Sequence, residues 1–472
     1  MNILLIQPDN KSTIGLNNVS LIEPTGLEAV GGALINDGHR VNIVDLRAVK
    51  NPDRYLDDAV HSLKPDICGF SCSFTPDVYR TIELAKRIKN DYGTAFVFVG
   101  GHHVSVYPLD FNVREIDAIV VGEGEQTAVE LIRAFSSKTP LSMVKGLIYN
   151  EGGRQVKTLQ RELIKDINGL PNFARNLTRE YRKQYYLGIR TSLACIETAR
   201  GCPFKCDFCS VWEFYHGKYR SKSPERVISE LKEIKEDYVL VSDDNFFSDV
   251  KRAKKIGELI KKENIRKLYT IQARSDTIVK HPELISQWKE LGLSNIFIGF
   301  ESIDDDRLAD INKNNSSSNN EKAFYIAQKN DVGVTASFIV SPDFTKLDFK
   351  KLVDFVKRLK IPVPAFSVLT PLPGTKLFEE VKEKLTTFNY HYYDLFHPVL
   401  ETYLSKTEFF KEFSNLYKSS YKSLNLRAQD VLFVIKYLLS GKMPLTHMRR
   451  LKKAMRRIST PSTYVTPPVL EN

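Results

Sequence analysis

"RGCPFKCDFCSVWEF", residues 200–214, gathers half of the chain's six cysteines into eight positions. Cys202, Cys206 and Cys209 stand at spacing Cys-x3-Cys-x2-Cys in an aromatic and basic setting, with no obvious fourth. A structural zinc site takes four protein ligands, so the fourth here would be His216, Cys195 or a distant residue. An iron–sulfur cluster also usually takes four thiolates, and one left a ligand short exposes an iron able to bind substrate. The N-terminus, "MNILLIQPDN", has no basic n-region and meets Pro8 early, so it reads as a first strand and not a signal peptide. Clustered cysteines in such a chain point to metal or redox chemistry in the cytoplasm, not to disulfides.

Around the cysteines the chain alternates strands and helices. Strands are predicted near "LACIETA", "YVLVSDD", "LYTIQAR", "NIFIGFE", "VTASFIV" and "AFSVLTP". Ser223 and Pro224 suit the first positions of a helix whose inner stripe is Val227, Ile228, Leu231 and Ile234. Six βα repeats over 191–380 predict a partial (β/α)6 barrel with its site at the strand C-termini. The cysteines follow the first of these strands. "NKNNSSSNN" at 312–320 reads as a polar loop before a helix.

Residues 1–140 show the same alternation, with strands "NILLIQP", "RVNIVDL", "DICGFSC", "AFVFVGG" and "AIVVGEG". This predicts a doubly wound parallel sheet with ligands beyond its strand ends. Those ends read "SCSFTPD", "GGHHVSVYP" and "GEGEQT". The turn after the first strand, "QPDNKST", contains no G-x-G-x-x-G, and no Walker A sequence occurs. A dinucleotide is therefore not the expected ligand, and a regulatory domain with an empty crevice stays open. Residues 141–190 read as a hairpin, "KGLIYNEGGRQVKT", and a linker. Residues 381–472 read as a helical C-terminal region.

At 472 residues the chain needs two or three domains, and its 42% hydrophobic and 26% charged content is ordinary for a globular protein. No apolar run reaches the ~20 residues of a membrane span. A net charge of +11 fits nucleic acid, a membrane surface or an acidic partner. The basic residues are spread out except at the C-terminus and no RNA-binding fingerprint occurs, so no nucleic-acid partner is expected. The segment from 431 to 458 joins an apolar run, "VLFVIKYLL", to a dense basic cluster: Arg449, Arg450, Lys452, Lys453, Arg456 and Arg457 crowd together, while Leu451, Ala454, Met455 and Ile458 keep helical spacing opposite them. That pattern predicts a helix lying on an anionic membrane surface, alongside the plainer readings of a solvated helix or a docking patch for an acidic donor.

The cysteine spacing, with Phe208 just before the last, resembles the signature of the radical S-adenosylmethionine (SAM) superfamily. The resemblance implies a [4Fe–4S] cluster on Cys202, Cys206 and Cys209, with SAM on the remaining iron. It further implies SAM contacts from Asp243, Asp244 and Asn245 in "SDDNFF", from Arg274 in "QARSD", and from Glu301 and Ser302 in "GFES". "TPLPGTKLFEE" at 370–380 resembles the closing segment of the cobalamin-containing subgroup. "GFSCSFTPDVYRTIELAKRIK", "VGGHHVSVYP" and "VGEGEQTAVEL" resemble that subgroup's cobalamin-binding domain. By this likeness cobalamin is cradled by Ser73, Phe74 and Thr75, by Gly100, Gly101 and His102, and by Gly122, Glu123, Gly124 and Glu125. The cobalt-ligating Asp-x-His-x-x-Gly of the mutases is missing after the first strand. His39 in "DGHRVN" reads as a turn residue, and no histidine of this chain is expected on cobalt.

The implied reaction is methylation of an unactivated carbon. One SAM, cleaved reductively, initiates hydrogen abstraction, methylcobalamin donates the methyl group, and a second SAM restores it. "LIEPTGLEAVGGAL", "CSVWEFYHGKYR" and "YDLFHPVLETYLSKTEFFKEF" most resemble hopanoid C-3 methylases. That likeness implies a small-molecule, lipid-type substrate, a flavodoxin- or ferredoxin-type electron donor and a peripheral membrane contact. The rival readings are an anaerobic oxidative cyclase of the magnesium-protoporphyrin monomethyl ester type and a non-catalytic cobalamin or iron–sulfur sensor.

Overall fold

The computed structural model describes residues 1–10, 19–93, 95–422, 428–439 and 445–465. The first sheet takes β1 (Asn2–Gln7), β2 (Arg40–Asp45), β3 (Ile67–Ser71), β4 (Phe96–Gly100), β5 (Ala118–Val120), β6 (Leu147–Glu151) and β7 (Arg154–Lys157). Their order is β2-β1-β3-β4-β5-β6-β7. The first five pair in parallel, and the hairpin β6–β7 extends the same sheet antiparallel to them. Helices cover both faces, which is why β1 reads as a continuous apolar run. Leu4 and Ile6 enter one core layer with Leu84, Ile88 and Val99, while Ile3 and Leu5 enter the other with Leu34, Leu131 and Ile132.

The second sheet takes β8 (Leu193–Ile196), β9 (Tyr238–Val241), β10 (Leu268–Gln272), β11 (Leu293–Glu301), β12 (Gly333–Val340) and β13 (Val363–Val368) in plain sequence order. All neighbours are parallel, with β8 and β13 at the two edges, which is the partial (β/α)6 arrangement. The helix Pro224–Glu233 starts where its sequence signals place it: the Ser223 hydroxyl accepts the Arg226 N–H at 3.2 Å, and Val227, Ile228 and Leu231 are buried. The polar run at 312–320 is only partly a loop. Ser316 accepts the Asn319 N–H at 3.2 Å and caps the helix Ser317–Lys329, so the run supplies the helix's own start.

A buried ion cluster joins the two sheets behind the site. The Glu23 carboxylate precedes the helix Thr25–Asn36 and accepts from Arg175 at 2.6 Å, from Arg182 and from the backbone N–H of Cys195 at 2.7 Å. Glu28 accepts from Thr178 and, at 3.3 Å, from Arg182. Arg175 also donates to the Cys195 carbonyl on β8. One linker segment, Arg175–Gln184, thus clamps the first helix of the N-terminal sheet onto the first barrel strand.

The C-terminal region packs mostly on the barrel. Lys406–Lys422 lies against the helix Lys346–Leu359, and the Asp394 carboxylate holds His397 Nδ1 at 2.9 Å beneath Tyr464. Ala454 and Ile458 are buried in the helix Leu445–Ile458, with Met455 packed on the barrel core. This corrects the sequence reading: the apolar face of the basic helix is spent on intramolecular packing. The exposed apolar residues sit instead on Ala428–Leu439, at Val431, Leu432, Ile435 and Leu439, and at Leu445. Among the described residues no helix is long and apolar enough to cross a membrane.

Removing the Glu23 carboxylate leaves two half-buried guanidinium groups without it. Glu23→Ala is expected to cost about 3–5 kcal/mol, read as a lower denaturant midpoint. Glu23→Gln keeps an acceptor for the Cys195 N–H and should lose less.

Candidate cluster and cofactor site

The cysteine loop leaves β8 through the short pairing of Ala199–Arg200 with Arg220–Ser221. Gly201 has φ +86°, and a Cβ there would lie 2.2 Å from the Lys218 carbonyl oxygen. Only glycine makes this turn without displacing Cys202. The loop is then tied down from several sides. Cys206 O accepts from Cys209 N–H at 3.0 Å and from Trp212 Nε1 at 3.1 Å. Asp207 N–H donates to Ile311 O at 3.2 Å, Asp207 O accepts from Leu377 N–H at 2.9 Å, and its carboxylate accepts from Lys376 at 2.8 Å. The closing segment 370–380 and the loop after β11 therefore hold the cysteines.

All three thiols are free, and burial raises the pKa of each, with Cys209 pushed up to about 12. Opposing that, Arg274 and Lys313 favour the Cys206 thiolate, and Arg274 favours that of Cys202. The Arg274 guanidinium stacks over the Phe204 ring, 3.6 Å from its centroid. A buried thiol ionises outright when a metal takes its electrons. Among the described residues no three His, Cys, Asp or Glu side chains are gathered as the ligands of one ion would be. Three free thiols on one loop, with Lys313 and Arg274 near Cys206, are the chemistry an iron–sulfur cluster takes.

The residues predicted around SAM divide into two kinds. Asp243 is committed: it accepts from Thr198 N–H at 2.6 Å, Thr198 Oγ1 at 2.5 Å and Ala199 N–H at 3.0 Å, and burial pushes its carboxyl up to about 6. Asp244 accepts the Gly201 N–H at 3.3 Å, and burial, then the charge of Asp243, raise it to about 7. Arg274 donates to Lys313 O at 2.9 Å, Asn314 O at 3.0 Å and Asp276 at 3.1 Å. Glu301 holds a left-handed φ of +59° and accepts from Lys313 Nζ at 2.8 Å, while Ser302 Oγ accepts from Asp304 N–H at 3.1 Å. Asn245 differs. It is 1% exposed, yet among the described residues neither its Nδ2 nor its Oδ1 has a hydrogen-bond partner. An orphaned buried carboxamide at the end of β9 is a place for a polar ligand.

On the N-terminal side, Ser73 and the 56%-exposed Phe74 lead into buried Thr75, whose hydroxyl pairs with His103 Nδ1 at 3.1 Å. His103 Nε2 lies 2.8 Å from Asp110, whose other oxygen accepts from Tyr390 at 3.0 Å. Gly100 ends β4, and Gly101 takes φ +125°, where a Cβ would meet the Cys72 carbonyl oxygen at 2.5 Å. His102 is turned toward the cysteine loop: its Nε2 shares a 2.7 Å hydrogen bond with Ser210 Oγ, and its ring stacks on Phe214 at 4.9 Å. The Gly122 N–H donates to Ser105 Oγ at 2.9 Å. Gly124 opens the helix Gly124–Ser137. Glu123 and Glu125 meet Arg200, at 2.7 and 2.6 Å, and Glu123 also takes Arg220 at 2.8 Å. Both carboxylates are thus engaged by the barrel.

Arg200, Lys313, Trp212 and Phe204 belong to the site and were not singled out from sequence. Arg200 had a usable signal, its place just before Gly201. Lys313 lay in a run that reads as polar loop, and only the fold brings it to Glu301.

A radical SAM superfamily model matches residues 196–356, and a B12 binding domain model matches residues 12–132. Hopanoid C-3 methylase of Methylococcus capsulatus is 34% identical over 85% of this chain and 77% of its own. An uncharacterized methyltransferase of Pyrococcus horikoshii is 30% identical over 93% of this chain and 98% of its own. The structure of the radical SAM methyltransferase TsrM from Kitasatospora setae, with cobalamin and a [4Fe–4S] cluster bound, shares the fold at a TM-score of 0.64 and 18% identity, over 81% of this chain and 74% of that one.

Gly201→Ala is expected to add about 1–3 kcal/mol of backbone strain and to move Cys202. Iron bound per chain after anaerobic reconstitution should fall well below the parent's, with the far-ultraviolet circular dichroism unchanged.

Proposed function

The chain belongs to the cobalamin-dependent radical SAM methyltransferases, and from that premise we propose that it methylates an unactivated carbon of a polycyclic, hopanoid-type lipid. One observation carries the reading: the free thiols of Cys202, Cys206 and Cys209 follow the first barrel strand in a loop held against the strand ends of the N-terminal sheet. In this reading those thiols hold a [4Fe–4S] cluster, and the loops at Ser73–Thr75, Gly100–His102 and Gly122–Glu125 border cobalamin. When bound, cluster and SAM supply one-electron chemistry that removes hydrogen from carbon, and cobalamin supplies the methyl group.

The chain's own residues do the holding. Arg274 and Lys313 offset the negative charge that three thiolates bring. Asn245 offers SAM a donor and an acceptor that no group among the described residues claims. Asp243 closes the turn between β8 and the cysteine loop, and Asp244 secures Gly201. Phe74, Tyr79, Leu109 and Phe388 are exposed, and the Tyr79 hydroxyl donates to the Phe388 carbonyl at 3.5 Å. Exposed aromatic and aliphatic groups beside strand-end loops support an apolar substrate.

Such a substrate resides in a bilayer, and the C-terminal region supports collection there. Leu432 is 64% exposed and Leu439 84%, on one face of the helix Ala428–Leu439. Arg449, Arg450, Lys452, Lys453 and Arg456 are exposed on the next helix. Apolar residues exposed on one helix and cations exposed on the next fit the surface of an anionic membrane in the cytoplasm. The net charge of +11 supports an acidic flavodoxin- or ferredoxin-type electron donor.

Anaerobic reconstitution should give about four irons per chain, lost in Cys202→Ala, Cys206→Ala or Cys209→Ala. With methyl-deuterated SAM, reductant and a lipid extract, mass spectrometry should find the intact deuterated methyl in a lipid product. Reductive SAM cleavage without methyl transfer would point to a cyclase instead.

Full-length protein should bind phosphatidylglycerol vesicles at low salt, weakening as salt rises, with each basic residue contributing roughly 1 kcal/mol. Replacing Leu432 and Leu439 together by serine should reduce it. If the parent ignores such vesicles, the membrane contact fails and the methyl-transfer chemistry stands.

A further inference from the structure

The N-terminal domain grips the cysteine loop at both ends. Two residues before Cys202, Arg200 is 6% exposed and gives Nη1 to Glu123 at 2.7 Å, Nη2 to Glu125 at 2.6 Å and Nε to Glu197 at 2.8 Å. One residue after Cys209, Ser210 Oγ meets His102 Nε2 at 2.7 Å, and His102 lies nearly parallel to Phe214, at an interplanar angle of 15°. Glu123 ends the loop after β5, Glu125 stands in the first turn of the helix that follows it, and His102 follows β4. These are the loops that border cobalamin in the reading above.

We propose that this two-point clasp couples the two cofactor sites, so that filling one site increases the affinity of the other. The inference rests on the cofactor reading of the preceding section and adds a thermodynamic link to it. A guanidinium buried among three carboxylates keeps its partners only if they move with it, because an unpaired buried charge costs several kcal/mol. The loop after β5 and the start of the cysteine loop therefore move together or not at all. The Glu123 carboxylate extends the link, since it also accepts from Arg220 and from the Ile164 N–H at 2.7 Å. At the far end the His102–Phe214 stack and the Ser210 hydrogen bond do the same for the loop after β4. Ordering of these loops by one cofactor orders both ends of the peptide that holds the other. Linkage requires the effect to be reciprocal.

The alternative is that the same contacts merely glue two domains together, in which case each cofactor binds regardless of the other. Equilibrium dialysis of hydroxocobalamin against full-length protein separates the two, comparing anaerobically cluster-loaded protein with iron-stripped protein. The loaded form is expected to bind at least about fivefold more tightly. In Ser210→Ala, which removes a single hydrogen bond, and in Arg220→Gln, which loosens Glu123 at the other end, both cofactors should still bind while the ratio shrinks. Equal affinities in the parent, with both cofactors demonstrably bound, overturn the coupling alone. An undiminished ratio in both folded variants overturns the clasp as its route. Protein that takes up no iron, or no cobalamin, overturns the cofactor reading itself.

Discussion

A single buried guanidinium organises this molecule. Arg200 sits between the carboxylates of Glu123, Glu125 and Glu197, and so joins the last parallel strand of one sheet to the first strand of the other. Burial of so much charge is tolerable only with every partner in place. The peptide that follows, Gly201–Cys202, inherits that fixed origin. Its geometry is then refined by neutral contacts, the Gly201 turn against Lys218 and the Asp244 carboxylate on the Gly201 N–H.

The same logic repeats behind the site. Glu23 and Glu28 face Arg175 and Arg182 across the other side of the domain junction, with Cys195 of β8 tied in through both its N–H and its carbonyl. Two buried ion clusters, one at the front of β8 and one along it, resist rotation of one sheet against the other more than either would alone. An interface of buried charge is a weak source of net stability but a strong source of registry. Registry is what a site shared between two domains needs, since the reacting groups must be held within ångströms of one another.

Electrostatics around the cysteines follows from the closing segments. Lys313 and Glu301 form a buried pair beside Cys206, with Arg274 stacked on Phe204 a few residues earlier in the loop. Positive charge is therefore brought to the thiols from the loops after β10 and β11. Lys376 reaches Asp207 from the segment after β13. The barrel thus contributes to the loop from strands spread around its sheet, the usual division of labour in such folds between a stable frame and its strand-end loops.

From the sequence alone, the local patterns were decisive: the Cys-x3-Cys-x2-Cys spacing, the strand and helix alternation in both halves, the absence of a dinucleotide turn, and the capped helix at Ser223. Each depends on residues within a few positions of one another, or on periodicities of the chain itself. The identities of the strand-end motifs were legible for the same reason. What those motifs touch was not. "GGHH" and "GEGE" read alike as ligand loops, yet the fold turns His102, Glu123 and Glu125 onto the cysteine loop. Lys313 reaches Glu301 only because a loop folds back over β11, and the apolar face of the basic C-terminal helix is covered because the barrel lies beneath it. Partners far apart in sequence are chosen by packing and by the need to pair buried charge. Only the tertiary structure decides those.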